Sequence, residues 1–416
     1  MTRIALHWQI LIAILLAAAA GSLSGTEQGL FGVSFYALYQ FLGTLFLNAL
    51  KMLIVPLIVS AIITGISNIG RHQGFGRLGM KTLGYYFFTS LLAILTGLFF
   101  VNMIAPGVES QLGAAEIQQS LAEKVGNKGA DDIVAVFIRM IPPNIISAAA
   151  EGQMLGLIFF SLLYGFFIHR IPAEFGRTQE QFWNGVYHVM MQITDLVMRF
   201  APIGVFGLVA AVVARTGLEE FHGVFLFFIT VLLALATHMF LTLPLMLKFL
   251  ARVNPLRHFK AMAPALLTAF STSSSSATLP ITLECVEKNA GVSNKTSSFV
   301  LPLGATVNMD GTALYECVAA LFIAQAYGLE LGFATQFLIV VTALLTSIGV
   351  AGIPSASLVA IGIILGAVGL PLEGIGMILV VDRILDMCRT SVNVFSDSCG
   401  AVLIARSEGE EGILQK

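Results

Sequence analysis

Apolar stretches long enough to cross a lipid bilayer alternate with short polar segments through the first 260 residues. A transmembrane helix needs about 20 consecutive, mainly apolar residues. The alternation therefore predicts six membrane-spanning helices, and a break in the fourth at Pro142–Pro143 is left open. We place them at about residues 8–24, 38–67, 82–105, 131–170, 181–214 and 220–249.

The pattern changes after residue 260, where two apolar segments are interrupted by small hydroxyl residues, glycine and proline. STSSSSATLP occupies 271–280 within the segment 256–292, and SIGVAGIPSAS occupies 347–357 within the segment 333–370. Such runs are poor continuous helices. They predict re-entrant hairpins, whose tips must be buried in protein or line a wet cavity.

An apolar helix with a polar cluster follows each interrupted segment. LPLGATVNMDGTALYE lies in the predicted helix 296–327, and VDRILDMCRTSVNVFSDSCG lies in the predicted helix 372–407. The hairpin and polar helix therefore occur twice, and the flanking charges indicate that the hairpins enter from opposite sides. This is the pattern of an inverted repeat with a transport site between its halves.

A polar stripe runs along the last predicted helix. It consists of Asp382, Asp386, Arg389, Asn393 and Asp397, whose spacings of three or four residues place them on one helical face. Inserting each central charge costs about 2.5–3.5 kcal/mol. The charges must therefore be compensated inside the protein, either at a functional site or by internal ion pairing for structure alone, as between Asp386 and Arg389.

The NMDG motif interrupts the other polar helix. Asn308 and Asp310 supply hard oxygens, and Gly311 permits a non-helical backbone. Hard oxygens suit small hard cations, although a plain helix kink is the alternative. Glu316 lies six residues beyond Asp310, where burial would let it carry a proton at neutral pH; a neutral, hydrogen-bonded structural acid is the other reading.

Composition supports the membrane assignment. Of the 416 residues, 57% are hydrophobic and 11% charged, against about 25% charged in soluble domains. The net charge of −2 gives no electrostatic reason for nucleic-acid binding. The four cysteines lack metal-site spacing. All the histidines are expected outside the hairpins and polar helices, with His238 in a structural role: His7, His72, His169, His188, His222, His238 and His258.

Basic residues cluster at the N-terminus and after the second, fourth and sixth predicted helices. These residues are Arg3, Arg71, Arg77, Lys81, Arg170, Arg177, Lys248, Arg252, Arg257 and Lys260. The positive-inside rule places them in the cytoplasm, with both termini. The acidic loop 107–130 then lies outside, in a multi-pass protein of a cell membrane of prokaryotic type.

Five motifs together make the chain resemble the dicarboxylate/amino acid:cation symporters, the family that includes the excitatory amino acid transporters. They are SSSSATLP, LPLGATVNMDGTALYE, SIGVAGIP, DRILDMCRTSVNV and APIGVFGLV. The resemblance implies an all-α polytopic protein with eight transmembrane helices and two re-entrant hairpins in an inverted repeat. It also implies a homotrimer with an elevator-type mechanism.

The resemblance divides the chain into a scaffold and a moving transport domain. Residues 1–81 would form scaffold helices 1 and 2, and 82–106 transport-domain helix 3. Residues 107–219 would form the outer loop and scaffold helices 4 and 5. The transport domain would resume over 220–416, with helix 6, hairpin 256–292, helix 7 at 296–327, hairpin 333–370 and helix 8 at 372–407.

The family's substrate-binding positions fall on two polar helices and two hairpin tips. By resemblance, Arg389 binds a side-chain carboxylate, as a guanidinium fork suits, and Asp386 binds an amino group. Thr390, Asn393 and Thr312 complete these contacts. The hairpin tips would hold the α-carboxylate or close over the substrate through Ser274, Ser275, Ser276 and Gly352.

The resemblance also implies three sodium sites. The first consists of Gly304, Asn308, Asn393 and Asp397. The second consists of Thr306, Ser347, Ile348 and Val350. The third consists of Tyr86, Thr89, Ser90, Asn308 and Asp310.

Two charged residues suggest proton coupling. Glu316 occupies the family's proton-carrier position, and Arg383 lies where the animal glutamate carriers have arginine. Potassium counter-transport is a further possibility that these residues leave open. Ser396 and Ser357 replace glycines common in the family, without an assigned role.

These features predict import of L-glutamate or L-aspartate, coupled to sodium and a proton, without an organic cofactor. A C4-dicarboxylate carrier would have no use for an ammonium partner at Asp386, and a neutral amino acid carrier would lack the cation at Arg389. An ion channel remains the alternative from another class, although the chain lacks a TVGYG-like filter. An enzyme is disfavoured because no GxSxG motif accompanies the serine run.

Overall fold

The protein is predominantly helical, as the apolar pattern predicted. The computed structural model describes residues 6–30, 32–70, 77–108, 138, 141–151, 153–216, 221–349 and 356–415. Most of the predicted outer loop and the tip of the second interrupted segment, including Val350 and Gly352, therefore lie outside the described residues.

The first three helices lie close to their predicted positions. α1 spans Leu6–Ser24, α2 spans Phe35–Gly70 and α3 spans Arg77–Ile104. A short antiparallel pair, β1 (Gly29–Leu30) and β2 (Val33–Ser34), joins α1 to α2. α3 begins five residues earlier than expected, because its polar first turns are stabilised by ion pairs from Arg77 and Lys81 to Glu408.

The fourth and fifth predicted helices are each divided. The fourth appears as α4 (Ile145–Ala150) and α5 (Met154–Phe167), followed by a 3₁₀ turn. The fifth, predicted as one helix, is α6 (Ala173–Arg199) and α7 (Ala201–Thr216), which meet at a bend of 55°. Pro202 lies just after this bend, in the first turn of α7; it has no amide hydrogen to donate to the carbonyl four residues earlier, so it cannot continue α6 but is tolerated at the start of α7.

The sixth predicted helix contains two π-helical stretches. α8 begins as Phe221–Thr237 and continues as a π-helix over His238–Thr242. An α-helical turn, Leu243–Met246, leads to a second π-helix, Leu247–Ala251. Each π-turn inserts an extra residue into the helix and so rotates the following side chains, an irregularity common at functional sites.

The second half of the chain consists of helices separated by short breaks. α9 (Pro255–Thr272) and α10 (Ser275–Glu284) meet within STSSSSATLP, where the sequence predicted a break. α11 (Asn294–Val307) and α12 (Asp310–Ala326) meet at the NMDG motif. The remaining α-helices of the described residues are α13 (Phe333–Gly349), α14 (Ala356–Val368) and α15 (Ile375–Ser407).

Three described helical segments are long and apolar enough to span a membrane on their own: Arg77–Ile104, His222–Ala251 and Asn294–Ala326. The bent pair α6 and α7 would make a fourth span. α15 is not among them although it has 33 residues, because its polar stripe lowers its mean hydropathy.

Helix packing concentrates the elements around two centres. α7 packs against α1 and α2, and α2 also packs against α5 and α6. α12 packs against α3, α13, α14 and α15. α15 packs in addition against α9 and α11, and every residue from Arg389 to Val402 is buried.

The segment after α15 folds back over the ends of several helices. Arg257, at the start of α9, donates to the carbonyl oxygens of Leu414 and Gln415 at 3.0 and 3.1 Å. The Leu414 amide donates to the Ala290 carbonyl at 2.9 Å, and the Leu414 side chain is buried. The carboxylate of Glu410 accepts from the Ser293 amide at 2.8 Å. The tail therefore ties α15 to α9 and to the turn before α11.

Glu410 is the charged centre of this tail. Partial burial raises its pKa, but hydrogen bonds from Ser293 and Thr296 lower it by more, so the pKa lies below the usual glutamate value. A lowered pKa in the folded state means that the carboxylate stabilises the fold above its ordinary pKa, about 4.3. That contribution is lost as the pH falls through the lowered value.

Glu410→Gln is expected to lower the free energy of unfolding by about 1–2 kcal/mol at pH 7, because charge-assisted hydrogen bonds are lost. Thermal unfolding of purified protein in detergent at pH 7 and pH 4 measures this effect. The difference from wild type should shrink at the lower pH. Exposed Glu411 supplies the matched control, Glu411→Gln. Equal effects of the two substitutions would contradict the role of the Glu410 contacts.

Candidate functional site

Arg389 lies at the centre of the charged half of the α15 stripe. Its guanidinium donates from Nη1 to Asp382 Oδ1 at 3.1 Å and from Nη2 to Asp386 Oδ1 at 2.8 Å. Its Cζ atom lies 4.0 Å from the centroid of the Tyr315 ring on α12, a cation–π contact. The side chain is only 1% exposed, so these groups supply the compensation that a buried cation requires.

Asp386 connects this buried cation to a more accessible one. Its second oxygen, Oδ2, lies 3.4 Å from Nη1 of Arg383. The side chains of Asp386 and Arg383 are 22% and 31% exposed. The ion pairs therefore lead from a buried end at Asp382 and Arg389 to an accessible end at Asp386 and Arg383.

The Arg389 pairs agree with the internal ion pairing that the sequence left open as an alternative. These ion pairs do not use every donor of the Arg389 guanidinium, however. Nε of Arg389 is buried and has no hydrogen-bond partner among the described residues, and the same holds for Nε of Arg383. Each guanidinium thus keeps a donor for a further acceptor.

A second polar cluster lies at the break between α11 and α12. Asn308 and Met309 adopt non-helical backbone angles, and α12 resumes at Asp310. The Asn308 amide nitrogen, Nδ2, donates to Asp397 Oδ1 at 2.9 Å and to Ser396 Oγ at 3.0 Å. The Asn308 carbonyl oxygen, Oδ1, lies 3.5 Å from Thr89 Oγ1 on α3.

Asp310 receives hydrogen bonds from three helices. Ser90 on α3 donates to its Oδ1 at 2.7 Å, and Ser396 on α15 donates to its Oδ2 at 2.6 Å. His238, at the start of the first π-helix of α8, places Nε2 3.1 Å from the same Oδ2. This contact agrees with the structural role predicted for His238. The prediction that all histidines lie outside the hairpins and polar helices is wrong for His258, which lies on α9 within the segment 256–292. His258 also reaches α15, with Nε2 2.9 Å from Ser398 Oγ.

Asn393 joins the two clusters. Its Oδ1 accepts from the Gly311 amide at 2.8 Å, and its Nδ2 donates to Thr312 Oγ1 at 3.1 Å. Gly311 permits the close contact of α12 with α15, since a Cβ atom there would lie 2.7 Å from the Arg389 carbonyl oxygen. The predicted sodium residue Asn393 therefore lies within one hydrogen bond of the predicted substrate residue Thr312.

Gly304 makes a similar close contact. A Cβ atom at this position would lie 2.5 Å from Asp397 Oδ1 and 2.7 Å from the Tyr86 hydroxyl. The Tyr86 hydroxyl donates to the Val300 carbonyl at 2.7 Å, so it is not free to move away. The structure thus brings the first and third predicted sodium sets into contact.

The first predicted hairpin tip contains a turn at Ser273. This residue has left-handed backbone angles (φ 50°) and ends α9, and its buried hydroxyl has no partner among the described residues. Ser274 then caps α10 by accepting from the Ala277 amide at 3.2 Å. Ser275 is buried and Ser276 exposed. Three of these serines lie at or beside the N-terminus of α10, where backbone amides favour an anion.

The second predicted sodium set is only partly described. Thr306 Oγ1 donates to the Leu303 carbonyl at 2.9 Å, and Ser347 Oγ donates to the Leu344 carbonyl at 2.9 Å. Ile348 belongs to α13. Val350 lies outside the described residues, as does Gly352 of the second hairpin tip. The two described hydroxyls of this set, those of Thr306 and Ser347, therefore bond to carbonyl oxygens of their own helices and not to each other.

Two further predicted residues have defined contacts. Thr390 Oγ1 donates to the Asp386 carbonyl at 2.8 Å. Glu316 is fully buried on α12, and its Oε2 accepts from Thr346 on α13 at 3.0 Å. Its Oε1 has no hydrogen-bond partner among the described residues. A buried carboxyl with one free oxygen can hold a proton there.

Comparison with known proteins assigns the family. The model of the sodium:dicarboxylate symporter family matches residues 6–407. The chain belongs to this family. It is 34% identical over 413 residues to the proton/sodium-glutamate symport protein of Geobacillus stearothermophilus, covering 99% of this chain and 96% of that protein.

Two other relatives extend the similarity across kingdoms. The proton/glutamate-aspartate symporter of Escherichia coli is 34% identical, over 98% of this chain and 93% of its own. Human excitatory amino acid transporter 3 is 35% identical, over 90% of this chain and 80% of its own. The resemblance stated from five motifs is therefore confirmed at the level of the family.

The polar core of this family member contains residues to which the sequence assigned no place. Ser396 and His238 both contact Asp310, and Thr346 contacts Glu316. The position of Ser396, between Asn393 and Asp397 on a buried helix, was a usable signal. For His238 the sequence indicated a structural role, but not its partner, because Asp310 lies 72 residues away along the chain.

Gly304→Ala is expected to destabilise the protein by about 1–3 kcal/mol, because the new methyl group would overlap two restrained side chains. Thermal unfolding in detergent measures the effect. Gly366 on α14 has no neighbouring atom within 4 Å of a built Cβ, so Gly366→Ala is the matched control. Similar unfolding temperatures for the two variants would show that the Gly304 contact is not restrictive.

Proposed function

We propose that the protein is a secondary active symporter that imports L-glutamate or L-aspartate together with sodium and a proton. The observation that carries the proposal is the pair Arg389 and Asp386, a buried guanidinium beside a carboxylate that is 22% exposed. These are the two charges needed to bind an amino acid with an acidic side chain. The printed names of the three relatives, which include glutamate and aspartate symporters, support this substrate class.

Substrate binding exchanges partners within the existing ion pairs. The side-chain carboxylate of the substrate bonds to Arg389, and its ammonium group bonds to Asp386. Each protein charge thereby keeps an opposite charge beside it, which avoids the cost of a buried unpaired ion. Thr390, Asn393 and Thr312 line the same face of the site, and the hairpin tips at Ser274, Ser275, Ser276 and Gly352 bind the α-carboxylate.

Charge balance gives a reason for sodium coupling. The group Arg383, Arg389, Asp382 and Asp386 carries equal numbers of positive and negative charges. An acidic amino acid adds one net negative charge to it. Two further carboxylates, Asp310 and Asp397, lie in the adjacent cluster. Co-transported cations offset this negative charge, so substrate and sodium favour each other's binding.

The sodium ions bind among hard oxygens on α3, α11, α12 and α15. One site uses Gly304, Asn308, Asn393 and Asp397, and another uses Asp310 with residues of α3: Tyr86, Thr89 and Ser90. The contact of Asn308 with both Asp397 and Thr89 supports this pairing of sites. The site at Thr306, Ser347, Ile348 and Val350 is proposed from the family resemblance alone.

Glu316 carries the co-transported proton. It is buried beside Thr346, and one of its oxygens is free among the described residues. It follows Tyr315, whose ring lies against Arg389. A change of charge at Glu316 therefore acts at short range on the guanidinium that binds the substrate. Arg383 contributes to coupling through Asp386. Potassium counter-transport is an extension that the same gradient experiments test.

The two packing centres support a division into scaffold and transport domain. α1, α2 and α4–α7 form the scaffold, and α3 and α8–α15 form the transport domain. The transport domain includes two re-entrant hairpins, at 256–292 and 333–370, and moves as an elevator within a homotrimer in the cell membrane. The N- and C-termini of the protein face the cytoplasm, on the side of the basic residues Arg77, Lys81 and Arg257.

Reconstitution of the purified protein into liposomes tests the proposal. Sodium, proton and potassium gradients are imposed separately, and uptake of labelled L-glutamate, L-aspartate, succinate and alanine is measured. Sodium-dependent accumulation of acidic amino acids above the external concentration is expected. Absence of that accumulation would contradict the proposal, and passive equilibration alone would favour a channel.

Arg389→Cys is expected to reduce acidic amino acid uptake by at least about 100-fold, because loss of one partner from a buried ion pair costs about 3–5 kcal/mol. Small neutral amino acids should become the better substrates. Arg199→Cys, at an exposed residue, is the control for the substitution itself. Unchanged selectivity in Arg389→Cys would remove this residue from the substrate site.

Glu316→Gln is expected to abolish the pH dependence of uptake and the accompanying proton flux, while sodium dependence persists. Glutamine is nearly isosteric with glutamate and can still accept from Thr346, but it cannot bind and release a proton near neutral pH. Uptake and internal pH are measured together in proteoliposomes. Exposed Glu330 provides the control, Glu330→Gln. Persistent proton flux in Glu316→Gln would refute the proton role.

A further inference from the structure

A continuous chain of hydrogen bonds joins the carboxylate of Asp397 to that of Asp310. Asp397 accepts from Asn308 at 2.9 Å, and Asn308 also donates to Ser396 at 3.0 Å. Ser396 in turn donates to Asp310 at 2.6 Å. All four side chains are 2% exposed or less, so water cannot readily replace these bonds.

The roles of the atoms in this chain are set by their neighbours. If the Asn308 amide were reversed, its carbonyl oxygen would face Asp397 Oδ1, and two acceptors would oppose each other. The observed orientation instead directs the carbonyl oxygen of Asn308 towards Thr89. Ser396 accepts from Asn308, so its single proton is directed to Asp310.

Ser396 is itself held in place from two sides. Its backbone carbonyl accepts from the Tyr85 hydroxyl on α3 at 3.0 Å. His238 lies 3.1 Å from the Asp310 oxygen that accepts from Ser396. The hydroxyl therefore occupies a fixed point between α3, α8, α12 and α15.

We infer that Ser396 is a positioning residue that links the two sodium sites proposed at Asp397 and Asp310. This inference rests on the proposed sodium coupling and adds a residue that makes the sites dependent on each other. A cation at Asp397 competes with the Asn308 amide for the same carboxylate oxygen. The displaced Asn308 amide then donates to Ser396 alone. Because the Ser396 hydroxyl donates to Asp310, the change at Asp397 affects Asp310 through this one hydroxyl.

The linkage between the two sodium sites is positive in sign. When sodium occupies Asp397, the Asn308 amide group keeps Ser396 as its acceptor, so the Asn308 carbonyl oxygen stays available to a cation beside Thr89 and Asp310. Hydrogen bonds in such a buried chain strengthen one another. Sodium binding at one carboxylate therefore prepares the other site, and binding is cooperative.

Ser396→Ala in the full-length protein tests the inference without using transport. Sodium raises the unfolding temperature of a protein that binds it in the folded state. Unfolding in detergent is followed against sodium chloride, with choline chloride holding ionic strength constant. Because this stabilisation grows with the logarithm of the sodium concentration, a fit of the unfolding free energy to a cooperative binding model gives the midpoint of sodium binding and its Hill coefficient. In Ser396→Ala the midpoint should rise by at least about tenfold, as expected for the loss of a charge-assisted hydrogen bond, and the Hill coefficient should fall.

Ser391→Ala is the matched control. Ser391 lies on the same helix and is also buried, but its hydroxyl bonds only backbone carbonyls of Met387 and Leu266. This variant should keep the wild-type midpoint and Hill coefficient. Ser396→Gly also removes the hydroxyl with less side-chain volume, so it replaces the alanine variant if the latter does not fold in choline chloride.

The outcomes separate the inference from the proposed function. An unchanged midpoint and Hill coefficient in Ser396→Ala would overturn the role of Ser396. A raised midpoint with an unchanged Hill coefficient would overturn the linkage, leaving a contact to Asp310 alone. A wild-type protein that gains no stability from sodium would instead contradict the proposed sodium coupling.

Discussion

Neutralisation of the α15 charges within the protein is the constraint on which the polar core depends. Arg389 is almost fully buried, and two carboxylates and the face of Tyr315 surround it. A lipid or apolar environment would not stabilise any of these ions alone. Because Tyr315 belongs to α12, this requirement also fixes the position of α12 against α15, and with it the position of Asp310 at the start of α12.

The break between α11 and α12 uses the same close packing for another purpose. Asn308 and Met309 leave the helix, while Gly304 and Gly311 on either side have neighbours too close for a Cβ atom. The absence of side chains there lets carboxylates and backbone approach each other. Asn393 on α15 contacts Gly311 and Thr312 at the start of α12, between the two clusters.

The helix faces and helix breaks of this arrangement could be predicted from the sequence, whereas the contacts between distant segments could not. Helical spacing placed Asp382, Asp386 and Arg389 on one face, and glycine, serine and proline located the helix breaks. Contacts such as Ser90 with Asp310, which join residues far apart in the chain, cannot follow from periodicity. The bend between α6 and α7 was not predicted although Pro202 marks it. The contact of His238 with Asp310 was not predicted because it joins two helices far apart in the chain.

The double pairing of Arg389 also bears on how carriers of this kind diverge in evolution. A lineage that loses this arginine keeps two acids that have evolved to face a cation, and one of them lies almost wholly inside the protein. A single replacement of the arginine changes the charge presented to the substrate, but it leaves Asp382 and Asp386 without their shared partner and so lowers folding stability. A neutral residue in place of Asp382 removes the more buried of these two unpaired charges, so the two changes together carry a smaller cost than the arginine replacement alone.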